Sequence, residues 1–434
     1  MYYQLNLAEL TRLTFPNSKR MTAIKPITQA AKDPWGNPVD ATHTPHQPIP
    51  IGRNANLDAI RGLAVLGIFF MNIYFMGISF YGYAPHQIPL LSDQVLEAFS
   101  NFFIEGRFIS LFSILFGVGL YIQYQRFSDK GLAAYSLLRS RLKWLIVFGL
   151  IHGIIIWPGD ILLTYGVSGF LALCYRDASI AELKRKANIF IFSSLVVICL
   201  ISIMGSDELF TRESPLFAEQ YSAWTSSYSN QLFLHVMQVG YMALVIPFTL
   251  MWFTGGLMLL GMALYRQGSF EQGFERNTLI KLVLASLALS ALDTLLSLTQ
   301  NPILVMFSDI IVMLSAIPTA LIYIHILVKI CQNRTTVLRP LQNVGKLAFS
   351  LYILQSIVGV FIFRHFAPEL LLTLDRGGYI AIALGYSLLQ LLLASLYLRY
   401  FHQGPLEKLW RQLAFKSINA SSHLNSNNEQ HKSQ

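Results

Sequence analysis

The first long apolar segment of the chain reads LDAIRGLAVLGIFFMN and covers residues 57–72. Two ionisable side chains, Asp58 and Arg61, stand at its start three positions apart, a spacing that puts them on one helical face. No charged residue follows until after Asn72. An apolar run of this kind is close to the length that crosses the hydrocarbon core of a bilayer. The segment therefore predicts a membrane-spanning helix with polar groups near both ends.

Similar runs recur along the whole chain. Hydrophobic residues make up 54% of it and charged residues 13%, with a mean hydropathy of +0.48, which excludes an ordinary soluble globule of this size. The predicted fold is all-α: a polytopic transmembrane helical bundle of about ten spans. The predicted spans are 57–78, 107–125, 142–157, 160–176, 188–205, 235–265, 279–299, 303–328, 343–364 and 377–399.

The distribution of basic residues predicts the orientation of the bundle. With ten spans and both termini in the cytoplasm, the cytoplasmic segments hold all but four of the 32 Lys and Arg residues. Cytoplasmic loops of membrane proteins carry such an excess of positive charge. The four exceptions are Arg107, Arg212, Arg364 and Arg376. Both termini are therefore predicted to be cytoplasmic, and the net charge of +9 reflects membrane orientation.

The domain organisation follows from the polar ends. Residues 1–55 are rich in proline and predict a disordered cytoplasmic arm, 56–415 form the transmembrane domain, and 416–434 form a disordered cytoplasmic tail. The bilayer is the expected partner. The basic residues are spread over many loops without a recognition module, so we expect no nucleic-acid binding. The three cysteines show no metal-ligand spacing, and no metal is expected.

One predicted hairpin is too short for the membrane. The segment from Lys143 to Arg176 falls below the roughly 40 residues that two crossings and a turn require. We therefore expect the turn around Asp160 to lie below the outer membrane surface, where a non-helical backbone must be buried or line a cavity. His152, on the preceding helix, would then meet Asp160 across the turn. The pair is either a functional site or two structural partners.

Other polar residues leave the same two interpretations open. Asp58 and Arg61 form either a structural ion pair or a site that binds an anionic ligand. Asn72 either makes an interhelical hydrogen bond or takes part in catalysis. Asp293 and Asp309 are expected in outer helix halves, where Arg364 or Arg376 would be their counter-ions.

Several motifs are similar to those of the YeiB family of bacterial membrane proteins. The first is the segment at 57–68 followed by Asn72. Further matches are RFISLFSILFGVG at 107–119, GLIH at 149–152 with WPGDIL at 157–162, GKLAFSLYILQS at 345–356, and GPLEKLWR at 404–411. Together they cover residues 53–415, which is nearly the whole chain outside the tails. The resemblance implies a multi-pass protein of the bacterial cytoplasmic (inner) membrane.

The first helix also resembles that of the transmembrane acyltransferases. There a similar Leu-Asp-x-x-Arg-Gly opening precedes an Asn at the same spacing and a catalytic His in the next non-cytoplasmic loop. Asn72 matches that Asn, and His86 is the only His of the corresponding loop, three positions later than in the family. The resemblance implies His86 and Asn72 as catalytic residues, with His152 and Asp160 as the competing pair.

A membrane acyltransferase would take its acyl group from cytoplasmic acyl-CoA and transfer it to an outer sugar or envelope lipid. Arg139, Arg141 and Lys143 would attract the phosphates of CoA, or serve only as cytoplasmic anchors. Asp58, Arg61 and Gln355 complete the expected substrate-binding residues. A histidine would act as the general base, and Asn72 would donate to the oxyanion.

Two other functions remain open. A secondary transporter would also place Asp, His and Asn in a cavity within the membrane, and its helices are often interrupted, as Pro247 and Pro318 suggest here. The other is a membrane scaffold without catalytic activity. The sequence leaves the oligomeric state, the acyl group and the acceptor open.

Overall fold

In a computed structural model of the chain, residues 55–202, 210–299, 301–333 and 337–416 are described. Over these residues the protein is built of α-helices with short 3-10 and π segments and contains no β-strand. The predicted all-α class is confirmed. The predicted arm up to residue 54 and the tail beyond residue 416 lie outside the described residues.

Nine α-helices occur among the described residues up to Arg266. They are α1 (Ala55–Asn72), α2 (Leu91–Phe103), α3 (Arg107–Asp129), α4 (Ala134–Ile155), α5 (Leu162–Leu173), α6 (Ile180–Ser202), α7 (Pro215–Trp224), α8 (Tyr228–Val245) and α9 (Leu250–Arg266).

The helices of the second half continue the bundle. They are α10 (Ser269–Gln272), α11 (Arg276–Ser297), α12 (Pro302–Asn333), α13 (Arg339–Lys346), α14 (Ala348–Val360), α15 (Leu370–Thr373), α16 (Arg376–Tyr400) and α17 (405–416). A π segment at Phe361–Phe366 prolongs α14.

Eight helical stretches of the described residues are long and apolar enough to cross a membrane. They contain α1, α3, α6, α8, α11, α12, α14 and α16, and each overlaps a predicted span. Helix α4 carries three basic residues in its first half, and α5 has only 12 residues, so these two are not among the eight. The protein is a multi-pass membrane protein, whereas the count of ten crossings and the cytoplasmic termini stay predictions.

Two predicted spans differ in detail from the structure. The segment 235–265 was expected as one helix, but a 3-10 turn at Ile246–Phe248 separates α8 from α9, because Pro247 cannot donate a helical hydrogen bond. The segment 343–364 begins in the separate helix α13 and continues, after Leu347, as α14. The outer loop also contains a helix, α2, that was not predicted.

Close helix contacts at glycines hold the centre of the bundle together. A Cβ on Gly62 of α1 would lie 2.0 Å from the carbonyl oxygen of Leu341, and one on Gly345 of α13 would lie 1.9 Å from that of Asp58. Small residues allow helix backbones to approach in this way within membranes. The glycine that ends the Asp-x-x-Arg-Gly motif therefore has a packing role: it lets α13 approach α1.

The hairpin of α4 and α5 is short, as expected. Helix α5 spans about 18 Å at about 1.5 Å per residue. Helix α4 is longer because it begins before its basic residues, yet its apolar part, residues 144–155, is as short as α5. The turn at 156–161 joins the two helices, and Trp157 in this turn is buried and donates from Nε1 to the carbonyl oxygen of Phe75 at 3.1 Å. That bond ties the turn to the end of α1.

Candidate functional site

His152 and Asp160 meet across the turn between α4 and α5. Nδ1 of His152 lies 2.8 Å from Oδ1 of Asp160, and the two side chains are 2% and 4% exposed. An ionised carboxylate can only accept a hydrogen bond, so Nδ1 is the donor, and in the neutral tautomer of the ring Nε2 keeps its lone pair. The contact that the short hairpin predicts is therefore present, and its geometry is that of an oriented base.

The second oxygen of Asp160 fixes the carboxylate in place. Oδ2 accepts a hydrogen bond of 2.7 Å from the backbone N–H of Leu163, which satisfies a free donor at the start of α5. Gly149 lies close by on α4, where a Cβ would stand 2.7 Å from Oδ2. The carboxylate is thus held by the imidazole, by a helix end and by the close approach of α4.

Aromatic rings surround the imidazole. The ring centre of Tyr352 lies 5.3 Å from that of His152, and the ring of Trp157 lies at 6.4 Å. The hydroxyl oxygen of Tyr352 accepts from the N–H of Ile161 at 3.3 Å, which leaves its own proton free to donate elsewhere. Nε2 of His152 is buried and has no hydrogen-bond partner among the described residues. An unpartnered buried acceptor of this kind is costly, and it needs an explanation.

One cavity reaches the Asp160 turn from the end of α1. We call it the Asn72 cavity; its volume is about 400 Å³. Its polar lining residues are Asn72, Ser79, Glu105, Ser110, Asp160, Thr164, Gln238 and Thr254. Two of their atoms, Oγ of Ser110 and Oε1 of Gln238, are buried without a hydrogen-bond partner in the described part of the chain. The cavity therefore combines hydrogen-bonding groups with two carboxylates.

A second cavity lies at the opposite end of α1. We call it the Arg61 cavity; its volume is about 260 Å³, and its walls are largely apolar. Arg61, Arg141 and Lys346 line it together with one carboxylate, Glu407, while Tyr352 belongs to the same lining. Arg61 and Asn72 are separated by about 16 Å along the helix axis. The two cavities therefore occupy successive levels of the bundle.

The two cavities approach each other next to the His152–Asp160 pair. Ile68 of α1 and Ile161 of the hairpin turn line both cavities. Ile161 directly follows Asp160, and its N–H is the group that bonds Tyr352. The His152–Asp160 pair therefore adjoins the wall that separates the cavities.

Helix α17 closes part of the Arg61 cavity. Glu407 accepts hydrogen bonds from the N–H groups of Phe349 and Ser350 at 2.9 and 3.1 Å, so it caps the start of α14. Trp410 donates from Nε1 to the carbonyl oxygen of Arg141 at 2.8 Å, and the guanidinium of Arg141 lies 4.3 Å from the centre of its ring. The closing GPLEKLW motif thus has a structural purpose that the sequence alone did not indicate.

His86 lies in a different environment. Its Nδ1 is 3.1 Å from Glu213, its Nε2 is 3.6 Å from Asp375, and its side chain is 38% exposed. The hydrogen bond from His86 lowers the pKa of the Glu213 carboxyl. Within the described residues, the lining of neither cavity includes His86. The structure does not bring His86 together with Asn72 or Asp160.

Of the expected substrate-binding residues, some lie at the Arg61 cavity and others lie outside it. Arg61 and Arg141 line the Arg61 cavity, and Asp58 binds Arg61 at 3.1 Å. Arg139 is exposed, lies against Tyr135 and is outside the cavity lining.

Gln355 is buried away from both cavities. Its Nε2 donates to the carbonyl oxygen of Val65 and to Gln390, at 3.1 and 2.8 Å. Those bonds join α14 to α1 and α16, and this position favours a structural role for Gln355.

Arg364 and Arg376 were expected to be the counter-ions of Asp293, which is buried, and Asp309, which is exposed, but both arginines bind other groups. Arg364 is buried and donates to the carbonyl oxygens of Met76 and Gly77, to Ser79 and to His235. Arg376 binds Glu97 at 3.3 Å.

A different arginine lies between the two helices that carry the aspartates. Arg107, fully buried, donates to Ser290 of α11 and Ser315 of α12 at 2.7 and 2.8 Å. Asp293 of α11 accepts from Ser308. The sequence placed Arg107 at the outer end of the predicted span 107–125 and did not predict its burial.

Comparisons with known proteins agree with the motifs. Residues 264–417 match the family described as "Protein of unknown function (DUF418)". The chain is similar to the "Uncharacterized protein YeiB" of Escherichia coli (strain K12), with 28% identity over 84% of this chain and 97% of that protein. It is also similar to the "Uncharacterized protein YxaH" of Bacillus subtilis (strain 168), with 27% identity over 73% of this chain and 81% of the relative.

These matches support a YeiB-like family, as the motifs indicated. No solved structure gives a significant match. The names of these relatives state no activity, so the function has to be argued from the site.

Proposed function

We propose that this YeiB-like membrane protein is an acyltransferase of the bacterial cytoplasmic membrane. It would move an acyl group from cytoplasmic acyl-CoA to a sugar or envelope lipid on the outer side, with His152 and Asp160 at its centre. The observation that carries the proposal is the approach of the Arg61 and Asn72 cavities at Ile161, next to Asp160. Two substrates from opposite sides of a membrane need this arrangement to meet.

The two cavities suit the two substrates. The apolar Arg61 cavity accommodates an acyl thioester chain, and its basic residues, Arg61 and Lys346, lie on the side that the charge distribution predicts to be cytoplasmic. The Asn72 cavity offers Asn72, Glu105 and Asp160 to a hydroxyl-bearing acceptor. Sugar hydroxyls bind well to such mixed donors and acceptors.

The reaction follows from the tautomer of His152. Nε2 takes the proton of the acceptor hydroxyl while the acceptor oxygen attacks the thioester carbon. Asp160 stabilises the imidazolium that forms, and the hydroxyl of Tyr352 or the amide of Asn72 donates to the oxyanion. The carbon–sulfur bond then breaks, and the CoA sulfur leaves with the proton from Nε2. Because Nε2 is buried, the side chains around it have to move before the acceptor reaches it.

The test uses the purified full chain in lipid vesicles. Radiolabelled acetyl-CoA is supplied on one side and bacterial envelope extract on the other, and both free CoA thiol and labelled acceptor are measured. His152→Ala should lower kcat by about 10²–10⁴-fold, since a general base contributes that much. His365→Ala, an exposed histidine on the π segment, is the matched control. Wild-type protein that neither binds nor cleaves acetyl-CoA would rule the proposal out.

A secondary transporter is the second candidate. Two cavities at successive levels that share the lining residues Ile68 and Ile161, and the interruption between α8 and α9, suit a protein that exposes one site alternately to each side. Thermal stabilisation distinguishes the candidates: a ligand at a hundred times its Kd stabilises by about 2.7 kcal/mol. Stabilisation by acetyl-CoA favours the enzyme, and stabilisation by a small solute or Na⁺ favours transport.

A further inference from the structure

A third cavity lies between α13 and the end of α16. Its volume is about 530 Å³. Four of its lining residues are basic or titrate to a cation, namely Arg339, Lys346, Arg399 and His402. No carboxylate occurs among the described residues that line it. We call it the Arg399 cavity.

The basic residues converge because of helix geometry. Arg339, Asn343 and Lys346 are spaced by four and three positions, so they share one face of α13. Nδ2 of Asn343 donates to Ser395 of α16 at 3.4 Å, which turns that face toward α16. Arg399 stands one turn after Ser395 and therefore lies beside the same face.

The converging charges favour the binding of an anion. Like charges in one cavity repel each other, and an anion shared between them relieves that repulsion. Arg376, by contrast, has a carboxylate nearby, at 3.3 Å from Glu97. No carboxylate occurs among the described lining residues of the Arg399 cavity, and its Arg339, Arg399 and His402 are exposed, so an anion can reach them from solvent.

Lys346 connects this cavity to the acyl site. The same side chain lines the Arg61 cavity and the Arg399 cavity. A ligand with an apolar chain in the first cavity would thus have its other end beside the second. The order of features along such a ligand would be acyl group, flexible arm and anionic head.

We propose that the Arg399 cavity binds the phosphate groups of the acyl donor while the acyl-pantetheine arm occupies the Arg61 cavity. The proposal rests on the acyltransferase function proposed above. Acyl-CoA has this bipartite form, with a nucleotide end that carries its phosphates. Arginine binds phosphate oxygens in pairs, which gives both charge and geometry. In this proposal Arg339 and Arg399 bind the phosphates, in place of Arg139 and Arg141, which the sequence had suggested.

Binding measurements on the full chain in neutral phosphatidylcholine nanodiscs test the site. The probes are CoA, adenosine 3′,5′-bisphosphate and S-acetylpantetheine, which lacks the nucleotide. Arg339→Gln and Arg399→Gln should each weaken CoA binding about threefold to tenfold, because each removes a charge-assisted hydrogen bond. S-acetylpantetheine should bind all proteins equally. Arg185→Gln, an exposed arginine of α6, is the matched control and should bind CoA like the wild type.

The possible failures of the two proposals are distinct. Equal CoA affinity in the wild type and in both variants would overturn the phosphate site, while acyl transfer by these proteins would keep the enzyme. Charge-dependent CoA binding without any acyl transfer would keep the site and overturn the enzyme. Nanodiscs with phosphatidylglycerol test a lipid headgroup: enrichment of this lipid that the variants abolish, together with unchanged CoA affinity, would contradict a donor site. Size-exclusion profiles confirm that the variants fold.

Discussion

Gly149 lies directly against the carboxylate of Asp160. A Cβ at position 149 would stand 2.7 Å from Oδ2 of Asp160 and 2.4 Å from the backbone nitrogen of Leu163. Those two atoms are hydrogen-bonded to each other. The absence of a side chain at one position of α4 is therefore a condition for the whole His152–Asp160 arrangement.

Gly149→Ala should destabilise the protein by about 1–3 kcal/mol, since the backbone of α5 has to move away. It should also reduce acyl transfer, because Asp160 shifts with α5. Gly240→Ala is the control: a Cβ there meets nothing within 4 Å, and alanine is the better helix former by about 0.5–1 kcal/mol. Thermal unfolding in detergent measures the stability of both variants. A Gly149→Ala protein as stable as Gly240→Ala would contradict the close contact.

Asp160→Asn should separate folding from chemistry. An amide oxygen can still accept from Leu163, so α5 keeps its cap and the unfolding temperature should change little. The amide cannot stabilise an imidazolium as a carboxylate does, and we expect kcat to fall by about 10²-fold with a smaller change in KM. Steady-state kinetics with acetyl-CoA provide the measurement. Full activity in Asp160→Asn would remove the carboxylate from the mechanism.

Glu407→Ala should open the Arg61 cavity on its α17 side. The substitution leaves the N–H groups of Phe349 and Ser350 without their acceptor, at a cost of about 1–3 kcal/mol. Lys408→Ala, the exposed neighbour, should have no such effect. Hydrogen exchange of the first turn of α14 reports the loss directly. Unchanged protection there would show that the cap does not hold α14.

Cysteine labelling tests the predicted orientation. Ser92 in α2 and Ser128 near the end of α3 are both exposed and are predicted on opposite sides. After the three native cysteines are replaced, Ser92→Cys should react with an impermeant thiol reagent from outside intact cells, and Ser128→Cys only after lysis. Labelling of the Ser128→Cys protein from outside would overturn the cytoplasmic placement of both termini.

The apolar runs predicted the helices because burial in hydrocarbon depends on the overall composition of a segment more than on its individual residues. The run at 57–72, for example, is almost the whole of α1. Pro247 interrupts its segment, as the sequence suggested, whereas α12 continues through Pro318, because a proline is tolerated in membrane helices when neighbours satisfy the freed groups. The outer helix α2 was missed because its polar residues resemble those of a loop. In both cases, packing against other helices decides the outcome.

The candidate site was predictable only where its residues are close in sequence. His152 and Asp160 share one short hairpin, so length alone indicated their contact. His86 finds its partners at Glu213 and Asp375, and Arg364 finds His235, all of them distant along the chain. The spacing of residues along the sequence does not indicate such pairs. The cavities are likewise formed by many helices, and only the structure brings them together.

Helix α17 is the last part of the Arg61 cavity to be synthesised. Every other helix that lines the Arg61 cavity is made before it, yet α14 lacks its cap and Arg141 lacks its aromatic cover until residues 405–416 are made. Ser140 also donates to the carbonyl oxygen of Ala414 at 2.8 Å. A nascent chain that is already inserted in the bilayer therefore carries an open cavity until α17 has left the ribosome. A chain released before residue 405 would therefore be inserted in the membrane without one wall of this cavity.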